Sequence, residues 1–251
     1  MSDYIVGRNA VREALRSGRT IQRLFITNEK LQGSLQEIVK LAKDRHVEIR
    51  KVNEQQLSKY ADGVVHQGVV ALVASVKFAE LQDVLNEFEA RQAAEGAEKK
   101  AAPLLVLLDG IEDPHNMGAI IRTAECCGAT AVLIPKRHNA PINATVAKTS
   151  AGALEFIPLV QVGNVAQTIE DLKKQGFWVL GAHMEGQQTL YQADMTVPLV
   201  LVIGNEGKGL SRLTKEKCDY LVTIPMYGEL NSLNASVATG ILLYEAVRQR
   251  Q

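Results

Sequence analysis

Three stretches beyond residue 100 hold polar residues and glycines in patterns that suit a ligand or a reaction better than a core. The first is Asp109-Gly110-Ile111-Glu112-Asp113-Pro114-His115-Asn116-Met117-Gly118, which runs into a mostly apolar helix carrying Arg122. The second is Gly204-Asn205-Glu206-Gly207-Lys208-Gly209, directly after the apolar run Leu199–Ile203. The third is Ile224-Pro225-Met226, followed by Ser232-Leu233-Asn234-Ala235-Ser236. Glycines at 204, 207 and 209 let backbone groups approach a ligand without Cβ interference, or they make a tight turn after a strand. Their order excludes two phosphate loops. Lys208 is followed by Gly209 rather than Ser or Thr, and the spacing is not GxGxxG. Asn116 and Asn234 each stand where a helix N-cap would stand, so capping competes with a role in a site. Arg122, set among Ile120, Ile121 and Ala124, is a paired core arginine, a solvated helix face or a group placed for chemistry.

Other chemistries find less support. His66, His115, His138 and His183 are scattered and His46 lies far upstream, so no metal-ligand set forms and no histidine is placed to act as a base. No Ser-His-Asp arrangement is evident. Cys126, Cys127 and Cys218 make no CxxC or CxxH pair, which argues for reduced, mostly buried thiols. Near the N-terminus Arg8, Arg12 and Arg16 recur at i, i+4 and i+8, so a helix there carries one basic stripe. The stripe suits RNA phosphates or plain solvent. Residues 1–75 hold 12 Lys and Arg against 8 Asp and Glu, in a chain whose formal net charge is zero. That imbalance permits a nucleic-acid partner without requiring one.

The elements that must position these groups alternate between strand and helix. In the front part, Asn9–Ser17 and Leu35–Arg45 read as helices and Ile21–Thr27 and Val47–Val52 as strands; Val64–Ser75 reads as a strand run broken by Gln67-Gly68. Leu81, Val84, Leu85 and Phe88 then mark an amphipathic helix. The Ala-, Glu- and Lys-rich stretch 90–102 has nothing to bury and reads as a linker. This divides the chain into a front domain over 1–75, a helix and linker over 76–102, and a second domain over 103–251. In the second domain Leu104–Leu108, Ala131–Ile134, Phe177–Leu180, Leu199–Ile203 and Tyr220–Ile224 are apolar runs of the kind parallel strands make when both faces are covered. Helices over Met117–Cys127, Val165–Lys174 and Ser236–Arg248 lie between or after them. An open, largely parallel α/β sheet follows, with ligands expected at the carboxyl ends of its strands. No apolar run approaches the roughly 20 residues of a membrane span, and the start Met1-Ser2-Asp3-Tyr4 lacks the pattern of a signal peptide, which points to the cytosol.

Taken together, the three loops resemble a known set. Asp113–Ala124 resembles motif 1, Leu201–Leu210 motif 2, and Ile224–Met226 with Ser232–Ala238 motif 3 of the SpoU/TrmH family of RNA ribose 2′-O-methyltransferases. Residues 1–75 resemble the L30e-like substrate-binding domain of its rRNA-modifying branch. The layout is most similar to the bacterial 23S rRNA guanosine enzymes; tRNA, an rRNA adenosine, or a non-catalytic assembly role are the competing expectations. The resemblance implies an α/β fold with a C-terminal trefoil knot, a homodimer, and S-adenosylmethionine held by the motif 2 and motif 3 loops. Carried onto this chain, it implies cofactor contacts at Gly204, Ile224, Met226 and Leu233. It also implies a catalytic set of Asn116, Arg122, Glu206, Ser232 and Asn234. The family feature His66-Gln67-Gly68 is present, without an evident physical role.

Overall fold

The computed structural model describes residues 3–16, 21–28, 33–61, 63, 65–73, 77–94 and 102–251. The chain forms two compact units, Met1–Val76 with Ile142–Gly152, and Lys77–Pro141 with Ala153–Gln251.

In the first unit β1 (Asp3–Val6), α1 (Arg8–Arg16), β2 (Ile21–Thr27), α2 (Ser34–Asp44), β3 (Glu48–Val52), α3 (Glu54–Ala61) and β4 (Val69–Val73) follow one another. The sheet has the order β1-β4-β2-β3. Alternation along β2 explains the layers. Leu24 and Ile26 join Val11, Leu15, Leu35 and Ile38 from α1 and α2, while Phe25 joins Leu57 and Ala61 from α3. Each buried aliphatic side chain of this kind contributes about 1.5–3 kcal/mol. Two elements here escape the hydrophobic pattern. β1 is only 4 residues long, and α3 carries the mostly polar sequence EQQLSKYA.

The second unit opens with α4 (Leu81–Ala94), which runs past residue 90 into the stretch expected to be a linker. Ala90, Arg91, Gln92, Ala93 and Ala94 are good helix formers and need no buried face to continue a helix already begun. The rest of that stretch, from 95 to 101, and residues 64, 74 and 75 of the expected front strand, lie outside the described residues. There follow β5 (Leu104–Asp109), α5 (Pro114–Cys126), β6 (Ala131–Pro135), α6 (Ala144–Thr149, grouped with the first unit), β7 (Leu159–Val162), α7 (Val165–Lys174) and β8 (Trp178–Ala182). β9 (Gln188–Thr189), β10 (Leu199–Gly204), α8 (Arg212–Lys217), β11 (Tyr220–Thr223) and α9 (Ala235–Arg250) complete it.

The seven strands take the order β7-β6-β5-β10-β8-β11-β9, and each pairing is parallel. Leu105, Leu107, Val200 and Val202 pack with Ile169 and Leu172 of α7 and Val84 and Leu85 of α4. The alternate side chains point to the opposite face, where α5 and α9 contact the sheet and each other. No helix among the described residues is long and apolar enough to cross a membrane. The Arg250 guanidinium donates to the carbonyls of Ala102, Met195 and Val197, fastening the end of α9 to the start of β5. Of the three thiols, Cys126 is exposed rather than buried, because it falls on the outer side of the last turn of α5. Burial pushes the Cys127 and Cys218 thiols up, to about 11 and about 12.

Candidate active site

Parallel pairing brings the three loops to one edge of the sheet. Gly204 ends β10 directly opposite Asp109, the last residue of β5. Val202 of β10 is level with Gly181 of β8, and Ala182 with Val222 of β11. Chain leaving β5, β8, β10 and β11 therefore emerges on the same side, the carboxyl edge where open α/β sheets bind ligands.

The 204–210 loop is built by hydrogen bonds and close contact. Asn205 and Gly209 exchange backbone bonds of 3.0 and 2.9 Å. The Asn205 side chain accepts from the N–H groups of Gly207 and Lys208 and donates to the Gly110 carbonyl at 2.7 Å. Asp109 accepts from the Ser211 N–H at 2.9 Å. Gly204 is required by this turn: a Cβ there would lie 2.4 Å from Gly209 C and 2.4 Å from Leu210 N. Gly209 has φ +66, a left-handed conformation that glycine takes without penalty. Of the two readings of the glycines, tight closure of the loop on itself is thus the physical reason at 204 and 209. Asn205 is the organiser that sequence reasoning passed over. Its signal was an asparagine at a strand end two residues before a glycine, where the side chain can bond the backbone N–H two residues on as an Asx turn.

Asn116 is not an N-cap. Asp113 caps α5, accepting from the His115 N–H at 3.0 Å, with Pro114 in the first turn. Asn116 sits one turn in, 7% exposed, and its amide is spent across the site. It donates to Glu206 Oε1 at 2.8 Å and accepts from Asn234 Nδ2 at 2.8 Å. Asn234 does cap α9, accepting from the N–H groups of Ser236 and Val237. One chain of bonds thus joins all three loops, from Glu206 through Asn116 to the start of α9.

Beside this chain lies a cavity of about 640 Å³. Gly204, Glu206, Ile224, Met226, Ser232 and Leu233 all line it. Ile203, Val222 and Ala238 add apolar wall, while the 204–209 and 223–226 backbones add polar groups. His183 also lines the cavity, a placement that its position in the sequence did not mark. The cause is β8, whose carboxyl end delivers it there, and its Nδ1 accepts from the Glu185 N–H at 3.2 Å. Volume and lining fit a ligand with a flat apolar part and several hydrogen-bonding edges, within the roughly 300–1,000 Å³ usual for small-molecule pockets. An adenosine bearing an amino-acid end has that character.

Arg122 stands apart. It is exposed on α5, does not line the cavity, and no hydrogen bond or ion pair among the described residues engages it. The solvated-face reading therefore describes its surroundings in a single chain. In the first unit, Arg8, Arg12 and Arg16 do share α1. Arg12 and Arg16 both face Glu37, at 3.6 and 2.6 Å, whereas Arg8 turns to the Gln67 carbonyl at 2.8 Å.

Comparison with known proteins agrees with this geometry. The model of the SpoU rRNA methylase family matches residues 103–244, and that of the RNA 2′-O ribose methyltransferase substrate-binding domain matches residues 4–79. A relative from Bacillus subtilis, named a TrmH family tRNA/rRNA methyltransferase, is 45% identical over 248 residues, covering 99% of this chain and 96% of its own. The SpoU methyltransferase AviRb from Streptomyces viridochromogenes, solved with its cofactor AdoMet, superposes with a TM-score of 0.65 at 27% identity, covering 99% of this chain and 90% of that one. The TrmH/SpoU tRNA modifying enzyme of A. aeolicus reaches a TM-score of 0.54 at 32% identity, covering 67% of this chain and 84% of that one. The chain belongs to the SpoU/TrmH family of RNA methyltransferases, whose cofactor is S-adenosylmethionine.

Proposed function

We propose that this protein methylates the ribose 2′-hydroxyl of a guanosine in large-subunit (23S) rRNA, working in the cytosol as a homodimer. The observation that carries the site assignment is the hydrogen-bonded chain Glu206–Asn116–Asn234 beside the cavity. Two things favour rRNA. The family model that fits the second unit is described for rRNA, and the tRNA modifying enzyme covers only 67% of this chain. The knot remains part of this reading, supported by a sheet in which β10 lies between β5 and β8.

When bound, the cofactor supplies an electrophilic methyl group and a neutral thioether leaving group. The difficulty lies with the nucleophile, since a ribose hydroxyl attacks poorly until its proton leaves or its developing charge is stabilised. Gly204, Ile224, Met226 and Leu233 hold the adenosine end. Asn116 keeps the Glu206 carboxylate in place at the cavity rim, where it can take the proton directly or through water. Ser232 and Asn234 position the 224–234 loop and the ribose. Arg122 orients the substrate phosphate and stabilises the forming alkoxide; it stays protonated, because a guanidinium is effectively never a base in proteins.

For Arg122 to reach the reacting atoms, a second copy must bring it. α9 presents Val237, Ile241 and Tyr244 to solvent at helical spacing, 50%, 36% and 60% exposed, and α5 packs beside it. Burying that stripe against a second copy would carry Arg122 to the partner's site. Incorporation of labelled methyl into large-subunit rRNA and tRNA transcripts tests the substrate assignment. Transfer to rRNA alone is expected, and transfer to tRNA alone would overturn the assignment.

A further inference from the structure

A second cavity, of about 560 Å³, lies wholly within the first unit. It is walled by Arg8, Glu54, Ser58, His66 and the Gln67-Gly68 backbone, with Val65 at its lip. The otherwise unexplained His66-Gln67-Gly68 segment is its frame. Gln67 and Gly68 both have positive φ, +52 and +83, and the Val69 N–H bonds the His66 carbonyl at 3.0 Å. This is the two-residue turn that leads into β4, with a non-glycine residue in its left-handed first position. What the strained position achieves is visible in its partners. The Gln67 side chain accepts from the Arg8 N–H at 3.2 Å, and its carbonyl accepts from Arg8 Nε at 2.8 Å. Gln67 thereby fixes the Arg8 guanidinium at the cavity wall, and no carboxylate among the described residues lies within ion-pair distance of it.

His66 is 9% exposed. Its Nδ1 accepts from the Gly68 N–H at 3.1 Å, which leaves the proton on Nε2. Among the described residues that N–H meets two distant acceptors, Ser58 Oγ and Glu54 Oε1, both at 3.4 Å. The cavity therefore offers a fixed cation, an under-used imidazole donor, a hydroxyl and a carboxylate. Val65, 78% exposed, adds an apolar lip.

We propose that this cavity receives a single unstacked nucleotide of the RNA substrate. Arg8 takes the phosphate, His66, Ser58 and Glu54 meet the edge of the base, and Val65 lies against its face. Sequence-specific RNA recognition works on bases swung out of a helix in this way. The volume suits one nucleotide and is too small for a stretch of strand. The proposal rests on RNA being the substrate and places one contact point outside the methyl-transfer site.

The full-length protein tests it. Ser58→Tyr fills the cavity, and Glu54→Gln removes one acceptor at an exposed position that cannot unfold the unit. Both are compared with wild type for retention of large-subunit rRNA on filters, KM for that RNA in methyl transfer, and cofactor affinity by calorimetry. Ultraviolet crosslinking with peptide mapping locates the RNA. The expected result is a loss of RNA affinity of about tenfold or more for Ser58→Tyr and a smaller loss for Glu54→Gln. Cofactor affinity should stay at the wild-type value, with wild-type crosslinks on the peptide holding residues 65–68. RNA affinity within about twofold of wild type in both variants, or crosslinks confined to other peptides, would overturn the proposal. Should Ser58→Tyr fail to fold, Glu54→Gln and the crosslink map decide. If wild type retains RNA but transfers no methyl group to it, the assigned reaction fails while filter binding and crosslinking still judge the cavity.

Discussion

Replacing Gly204 by alanine adds one methyl group at the most crowded point of the 204–210 loop, which the proposed function assigns to the cofactor. Its Cβ would lie 2.4 Å from both Gly209 C and Leu210 N and 2.7 Å from the Gly209 carbonyl oxygen. Ordinary contact begins at 3.4 Å, so backbone on one side must retreat by about 1 Å, in an interior packed too densely to absorb it. The retreat pulls on the paired Asn205–Gly209 bonds and the Ser211–Asp109 bond. Overpacking of this kind costs about 1–3 kcal/mol. If that cost falls on the closed loop, cofactor affinity drops roughly tenfold to hundredfold. Gly207→Ala is the control. Its Cβ would meet nothing nearer than Asn205 Oδ1 at 3.7 Å, so affinity should stay within about twofold. Titration calorimetry with S-adenosylmethionine, alongside urea unfolding, measures both effects. Wild-type affinity in Gly204→Ala, or an equal loss in Gly207→Ala, would refute the claim that loop closure on itself makes the site.

Three further outcomes follow from the same geometry. Asn116→Asp should cut turnover about 10²–10³-fold near neutral pH, since it replaces the donor to Glu206 with a second carboxylate; near-normal kcat with an unchanged pH profile would remove Asn116 from the site. Glu245 accepts two bonds from Arg248 and one from Gln249, and the Arg248 guanidinium above all holds its carboxyl down at about 2. A depressed folded pKa stabilises above the unfolded value and is lost as pH falls. Urea midpoints should therefore drop between about pH 4.5 and pH 2 through this group, and Glu245→Gln should flatten that part of the curve. Ile241→Glu with Tyr244→Glu should convert the proposed dimer to monomers in sedimentation and abolish methyl transfer while cofactor affinity persists; an unchanged sedimentation profile would remove this stripe as the dimer contact.

Much of this site was legible because parallel strands are apolar on both faces and stand out as runs. The runs at 104–108, 131–134 and 199–203 located the carboxyl edge, and polar loops following such runs located the cavity. The illegible parts share a physical cause. β9 is only two residues long, too short for periodicity to mark it, and in β7 the exposed Gln161 interrupts the apolar run. Asn116 looked like a cap because type and local position cannot show that Asp113 had already taken that task. Arg8, Arg12 and Arg16 looked equivalent by spacing, and only tertiary partners, Glu37 for two of them and Gln67 for the other, separate their roles. The reason for Gly204 was hidden in the same way. A glycine's neighbours in space, not in sequence, decide whether it makes room for a ligand or for its own loop.

The most direct test of the account is transfer from labelled S-adenosylmethionine to large-subunit rRNA taken from a strain lacking this protein, with mass-spectrometric mapping of the product. One new 2′-O-methylguanosine is the predicted result. No incorporation into rRNA, with cofactor binding intact, would contradict it.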